Sequence, residues 1–301
     1  MDVYAYGMTL LSTIHLLDGP YPEKDTYQEI RETHRLPGGE AANAALLLAK
    51  WGLTVKLDGP DLGAVTEEPL SSYFKKAGID VSGMRHDPSY GGLEDLVLAD
   101  GISRTVFGVF RRFLFEGPAR WPSPDETAIR EASVVLLDPF FKGASRRTAE
   151  ICAAGKKPFV TIDCAPGSFE QIEAAATVVS GEYLNREFPG EDRGSLFRLY
   201  LEAGKGLTVF TSGAGAIRYG RRGGKKGLFD PFRVDVQGTL GAGDSFRAGI
   251  LYGVFKGWSD PDVVAFAAAT AACVCRRFPV ALYPPSLHEI NALMASGGEK
   301  G

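Results

Sequence analysis

Gly238-Thr239-Leu240-Gly241-Ala242-Gly243-Asp244-Ser245-Phe246 is the densest run of residue types able to do chemistry in this chain. The small residues at 241 to 243 let a backbone approach a ligand closely. A helix opening at this turn offers free N–H groups and the positive end of its dipole, which together suit an anion. Asp244, in the same first turn, can accept a proton from a hydroxyl held beside that anion. Phosphoryl transfer asks for little else: positioning, charge stabilisation, and a group that orients or deprotonates the nucleophile. A plainer reading is a structural turn with Asp in a position it favours. Other phosphate motifs fail. There is no GxxxxGK[ST], and neither Gly213/Gly215 nor Gly241/Gly243 has the third glycine of GxGxxG, so a dinucleotide-dependent oxidoreductase lacks its fingerprint.

Such a turn works only between a strand and a helix. Phe232 to Val236 reads as the strand, and the helix runs to about Phe255. The rest of the chain alternates in the same way. Val3 to Tyr6, Leu53 to Leu57, Val134 to Leu137, Phe159 to Ile162, Thr177 to Val179 and Leu207 to Phe210 read as core strands. Glu40 to Trp51, stopped by Gly52, and Thr66 to Ala77, stopped by Gly78, read as helices. Ser123-Pro124-Asp125-Glu126 reads as a capping box with Ser123 as the cap. Strands alternating with helices imply a mainly parallel sheet covered on both faces. Residues 10 to 37 break the rhythm. So do residues 89 to 118, where Leu93 to Leu98 and Arg104 to Phe110 read as strands joined by a turn at Asp100-Gly101. These two segments are expected to form a small antiparallel lid. The core is then expected over 1–9, 38–88 and 119–295, the lid over 10–37 and 89–118, and a flexible tail over 296–301.

The 301 residues are 45% hydrophobic with a net charge of -4, which allows a large core and gives no bulk attraction to nucleic acid or an anionic membrane. Cys152, Cys164, Cys273 and Cys275 form no CxxC pair and read as small core residues in a reducing compartment. Met1-Asp2-Val3-Tyr4 lacks the basic segment of a signal peptide. The apolar run from Ala265 to Cys275 falls short of the ~20 residues that span a bilayer. A cytoplasmic protein is expected.

The 241–246 motif, preceded by Thr239, resembles the second signature of the PfkB sugar kinases, the ribokinase-like family. Gly38-Gly39-Glu40-Ala41-Ala42-Asn43-Ala44-Ala45 resembles the first signature, and the likeness continues in order through Lys75 to Ser82, Asp100 to Thr105 and the Ala-rich helix near 263 to 275. The resemblance implies a ribokinase-like three-layer α/β fold with an antiparallel β lid, and transfer of the γ-phosphate of ATP to a hydroxyl. It implies Asp244 as base, backbone groups of Gly241, Ala242 and Gly243 as an anion hole, and Gly38, Gly39, Asn43, Ser12 and Arg104 against the substrate. On the nucleotide side it points to Thr211, Gly213, Gly215, Thr239 and Ala268. It also implies Mg²⁺, with Glu182 the remaining candidate for its shell, and a homodimer formed through the lid.

The departures bear on the substrate. The family's sugar-gripping Asp falls on Ser12, its Asn-x-x-Glu leaves only Glu182, and the Asp that opens the second signature is Gly238. These changes leave the acceptor open among sugars, sugar acids, polyols and nucleosides. They also keep alive a second reading, a catalytically weak relative that senses a small ligand.

Overall fold

The computed structural model describes residues 1–101 and 103–297. In chain order the elements are β1 (Val3–Tyr6), β2 (Leu10–Leu17), β3 (Ile30–Gly38), α1 (Glu40–Lys50), β4 (Val55–Asp58), β5 (Leu62–Gly63), α2 (Glu67–Lys76), β6 (His86–Asp87), β7 (Glu94–Ala99) and β8 (Arg104–Gly108). Then come α3 (Phe110–Phe115), α4 (Glu126–Glu131), β9 (Val134–Leu137), α5 (Gly143–Ala154), β10 (Phe159–Ile162), α6 (Phe169–Glu173), β11 (Ala176–Val179), α7 (Gly181–Glu187) and α8 (Arg193–Ala203). The chain continues with β12 (Leu207–Ser212), β13 (Gly215–Gly220), β14 (Lys226–Phe229), α9 (Ala242–Lys256), α10 (Asp260–Cys275) and α11 (Leu287–Ser296).

The main sheet has the order β14-β13-β12-β11-β10-β9-β1-β4. From β12 to β4 every pair is parallel; β13 and β14 close the edge antiparallel. β1, β9, β10 and β11 are buried along their whole length, which is why their sequences read as unbroken apolar runs rather than alternating ones. Their side chains still alternate between two cores. Val3 and Ala5 of β1 join Leu47, Leu251 and Ala267 on one face, while Tyr4 and Tyr6 join Phe141, Ile129 and Cys152 on the other. The parallel sheet covered on both faces is the architecture expected.

The lid is a second sheet, β3-β2-β7-β8. Its outer pairs are antiparallel, while β2 and β7 run parallel, with Ser12 opposite Asp95. Two strands, β2 and β3, occupy the 10–37 stretch. The second lid strand ends at Gly108, two residues before the expected Phe110, because the chain turns into α3. Adjacent residues of a strand point to opposite faces, so Val106 lines the inner face and Phe107 the outer. Phe113 leaves the lid altogether and packs on Trp121 in the core.

Three local expectations are corrected. The α4 cap is Asp125, which accepts the Ala128 N–H at 3.0 Å, not Ser123. Asp125 is held there by Lys56 at 2.7 Å, and its own N–H donates to the Tyr4 hydroxyl, so the helix starts after it. No strand spans Phe232 to Val236. Pro231 cannot donate to a ladder, and the Gln237 N–H bonds the Cys275 carbonyl at the end of α10 instead of a sheet neighbour. Ser296 still belongs to α11, and the expected tail beyond Gly297 lies outside the described residues. Among the described residues no helix is long and apolar enough to cross a membrane.

Candidate active site

A cleft of about 370 Å³ lies at the carboxyl ends of the parallel strands and under the lid. Open parallel sheets bind ligands at this edge because helix N-termini and loops converge there. Two such N-termini meet at its floor, those of α1 and α9. Gly39 precedes α1 at φ +97°, and a Cβ there would sit 2.4 Å from the Met8 carbonyl oxygen, so only glycine lets this turn nest against the chain leaving β1. Gly241 precedes α9 in the left-handed region at φ +78°, and a Cβ there would meet Val280 at 2.8 Å.

These turns bring the two motifs into contact across 201 residues of sequence. The Asn43 side-chain amide donates to Asp244 Oδ2 at 2.8 Å. Asn43 is buried, so the bond fixes both side chains against the cleft floor. Gly38, Gly39, Gly241 and Gly243 line the same floor. Ala242 does not, since its N–H turns back to the Thr239 carbonyl at 3.2 Å. Gly243 and Asp244 follow in the first turn, where helical amides have no partner one turn earlier.

Ser12 and Arg104 are on the lid wall of the cleft and Glu182 is on the opposite one. Arg104 reaches from the lid to two points of the core, donating to the Thr239 hydroxyl beside the second signature at 3.2 Å and facing Glu182 at 3.6 Å. Thr239 thereby stands beside the cleft without lining it. Thr211 is next to last in β12, one strand further along the same edge, with its carbonyl against the start of α7. Gly213 forms the β12–β13 turn and Gly215 opens β13. Ala268 is buried in the middle of α10 and does not reach the cleft.

Several polar groups of the site escaped the motif reading. Asp163 follows β10 and accepts the Ser180 N–H and hydroxyl at 2.7 and 2.9 Å, tying the ends of β10 and β11 together; burial pushes its carboxyl up. Asp138 follows β9 and accepts the Met8 N–H at 2.6 Å and a bond from the fully buried Arg247, one turn beyond Asp244 on α9. Glu40 lines the floor. Burial, with Asp138 and Asp244 adding repulsion, pushes its carboxyl up to about 8. Asp95 lines the lid wall, pushed up to about 6 by burial. The alternation Leu93, Asp95, Val97 was visible in the sequence and marked Asp95 as an acid on an inward-facing row.

The chain is similar to known kinases in sequence and in fold. The sequence model of the pfkB family carbohydrate kinases matches residues 187–284, the stretch containing Asp244. A 5-dehydro-2-deoxygluconokinase of Clostridium perfringens is 25% identical over 308 residues, covering 90% of this chain and 88% of the relative. A nucleoside kinase of Methanothermobacter thermautotrophicus is 27% identical over 296 residues, covering 91% and 89%. Arabidopsis thaliana ribokinase, solved with ribose and ATP, superposes with a TM-score of 0.78 at 18% identity, covering 97% of this chain and 98% of the other. The fold is that of the ribokinases.

Glu40 makes stability depend on pH in a definite direction. Its folded pKa stands above its ordinary 4.5, so between about 4.5 and 8 the folded state holds a proton that the unfolded chain has released. Stability from this group is full below 4.5 and is lost as pH rises toward 8. Glu40→Gln carries no such charge. Urea midpoints at pH 5, 6.5 and 8 should show the variant gaining on the parent as pH rises, by up to a few kcal/mol. Parallel profiles would remove Glu40 from the buried charge cluster.

Proposed function

We propose that this chain, a carbohydrate kinase of the PfkB family, moves the γ-phosphate of ATP to a hydroxyl of a sugar, sugar acid, polyol or nucleoside with Asp244 as general base. The observation that carries the reading is the 2.8 Å bond from Asn43 to Asp244 at the first turn of α9. It supports the reading by holding a carboxylate and a side-chain amide together at a helix N-terminus.

In this mechanism the acceptor lies between the lid and the floor, against Gly38, Gly39 and Asn43, with Ser12 and Arg104 on the lid side. Asn43 spends one amide hydrogen on Asp244 and has a second donor and an oxygen free to orient an acceptor hydroxyl. Asp244 Oδ1 takes the hydroxyl proton as the new O–P bond forms. The amides of Gly241 and Gly243 face the migrating phosphoryl, and the fixed dipole of α9 favours the charge it carries. The nucleotide lies along the carboxyl ends of β11 and β12, toward Thr211, Gly213, Gly215, Thr239 and the flank of α10 that holds Ala268.

The donor set suits a Mg²⁺ that arrives with the nucleotide. Among the described residues no cluster of three or more ligating side chains exists to hold a resident ion. Mg²⁺ commonly keeps its waters and binds through one carboxylate plus substrate phosphates. Glu182, 77% exposed on the cleft wall and faced only at 3.6 Å by Arg104, is the carboxylate placed for that role. When bound, the ion neutralises phosphate charge.

The relatives carry names for different acceptors, a deoxy sugar acid in one and a nucleoside in the other, which is why the acceptor class is left broad. ADP release should be followed with ATP and Mg²⁺ over D-ribose, D-fructose, D-gluconate, 5-dehydro-2-deoxygluconate, myo-inositol and inosine. At least one should be turned over. Asp244→Asn should fold normally, still bind ATP, and lose ~10²-fold or more of kcat on that acceptor. Turnover of none of them, or an Asn variant keeping more than about a tenth of kcat, contradicts the reading.

The second copy expected by resemblance is proposed to pair across the outer lid face, where Phe107 is 47% exposed beside Leu96 and Leu98. A small sheet leaves such a face uncovered on its own. Light scattering over a hundredfold range of concentration should give a dimer mass; a monomer mass throughout excludes the pairing.

A further inference from the structure

The inner face of the lid is an apolar surface interrupted by a carboxylate. Strand alternation and register place Leu10, Ser12 and Ile14 of β2, Asp95 and Val97 of β7, and Val106 and Gly108 of β8 on this one face. Ser12, Asp95 and Gly108 form a single cross-strand row. Asp95 therefore has a short hydroxyl on one flank and no side chain on the other. The Ser12 hydroxyl hydrogen-bonds the carboxylate, but Asp95 Oδ1 is buried and has no partner among the described residues. Among the described residues no cation is paired with it.

Leaving a carboxylate oxygen desolvated and unpaired is costly, and an apolar side chain would suit this row better. Gly38 shows that the packing around Ser12 is tight, since a Cβ there would meet Ser12 Oγ at 2.1 Å. The opening that remains is the cleft itself, which Asp95 lines. Burial holds the carboxyl up near 6, as expected of an acid waiting for a donor.

We propose that Asp95 is a specificity-determining residue for the acceptor: its free Oδ1 accepts a hydrogen bond from a hydroxyl of a polyhydroxylated ligand, a hydroxyl other than the one phosphorylated. This rests on the kinase reading of the cleft and adds to it a requirement for at least two hydroxyls on the acceptor. Asp244 on the floor takes the reacting hydroxyl, and Asp95 on the lid holds a second one. Closing the lid on a ligand then satisfies a lid carboxylate oxygen that has no partner among the described residues.

The test separates binding from turnover. Calorimetric titration with D-ribose, D-fructose, D-gluconate, 5-dehydro-2-deoxygluconate, myo-inositol and inosine needs no chemistry. The parent protein should bind at least one of them. Asp95→Asn, equal in size, should bind it about 10- to 100-fold more weakly, the worth of a hydrogen bond to a charged group. In turnover the same variant should raise the acceptor KM by that factor, with a much smaller change in kcat and none in the KM for ATP. Asp95→Leu should match or exceed the parent in Tm, because it completes an apolar row, while losing the ligand. Undiminished affinity in Asp95→Asn, a large fall in Tm for Asp95→Leu, or no binding of any of the six compounds by the parent overturns the proposal. Binding that depends on Asp95 with no phosphorylation of the ligand would instead leave the proposal standing and remove the kinase reading.

Discussion

A guanidinium with no access to water organises the centre of this molecule. Arg247 is fully buried on α9, and Asp138, equally buried after β9, is its ion-pair partner. Taking two charges out of water costs several kcal/mol each, so the pair persists only where geometry and further hydrogen bonds offset that cost. Asp138 makes one such bond by also accepting the Met8 N–H, while Arg247 Nε and Nη2 have no partner among the described residues. The approach is so close that a Cβ on Gly7 would lie 2.1 Å from Asp138 Oδ2, and so position 7 is a glycine. One interaction thereby ties the exit of β1, the exit of β9 and the first turns of α9. Everything on the cleft floor is mounted on those three pieces.

The consequence for chemistry is electrostatic as well as geometric. Arg247 sits one turn beyond Asp244, and Glu40, Asp138 and Asp244 crowd around it. Three carboxyl groups share one buried cation. Glu40 yields, staying protonated to about 8, which leaves the cation's influence to the other two. The neutral Glu40 and the charged pair beneath it form a rigid base for the Asn43–Asp244 contact. The lid, by contrast, touches the floor through few polar contacts, chiefly Arg104 with Thr239 and Glu182. A rigid floor with a lightly held cover is the arrangement that lets a ligand enter and water be excluded.

Much of this was legible in the sequence because the signals were local. Apolar runs such as Val134 to Leu137 announce strands buried on both faces, and Gly38-Gly39 and Gly241 announce turns that no other residue could make. The lid was legible as an interruption, though not its parallel β2–β7 pair, since register between distant strands is not written in either one. Val106 and Phe107 fall on opposite lid faces by strand alternation, whereas the end of β8 at Gly108 depends on the turn into α3, a tertiary effect. The strand expected at Phe232 to Val236 did not form, and just past it the Gln237 and Gly238 N–H groups donate to the Cys275 carbonyl at the end of α10 rather than to a sheet neighbour. Arg247, Asp138 and Asp95 were missed for a different reason. Their roles come from burial and pairing across 109 residues in one case and from a bare neighbour, Gly108, in the other.

The central claim is that two signatures 201 residues apart act as one catalytic unit through the Asn43–Asp244 bond. A double-mutant cycle on kcat at saturating acceptor measures that coupling. Asn43→Ala alone should slow turnover by about 10-fold or more, as expected when the group orienting a base is removed. In the Asp244→Asn background the same change should cost less than about threefold, because there is no longer a base to orient. Losses that simply multiply would show that the two residues act independently, and would contradict the account.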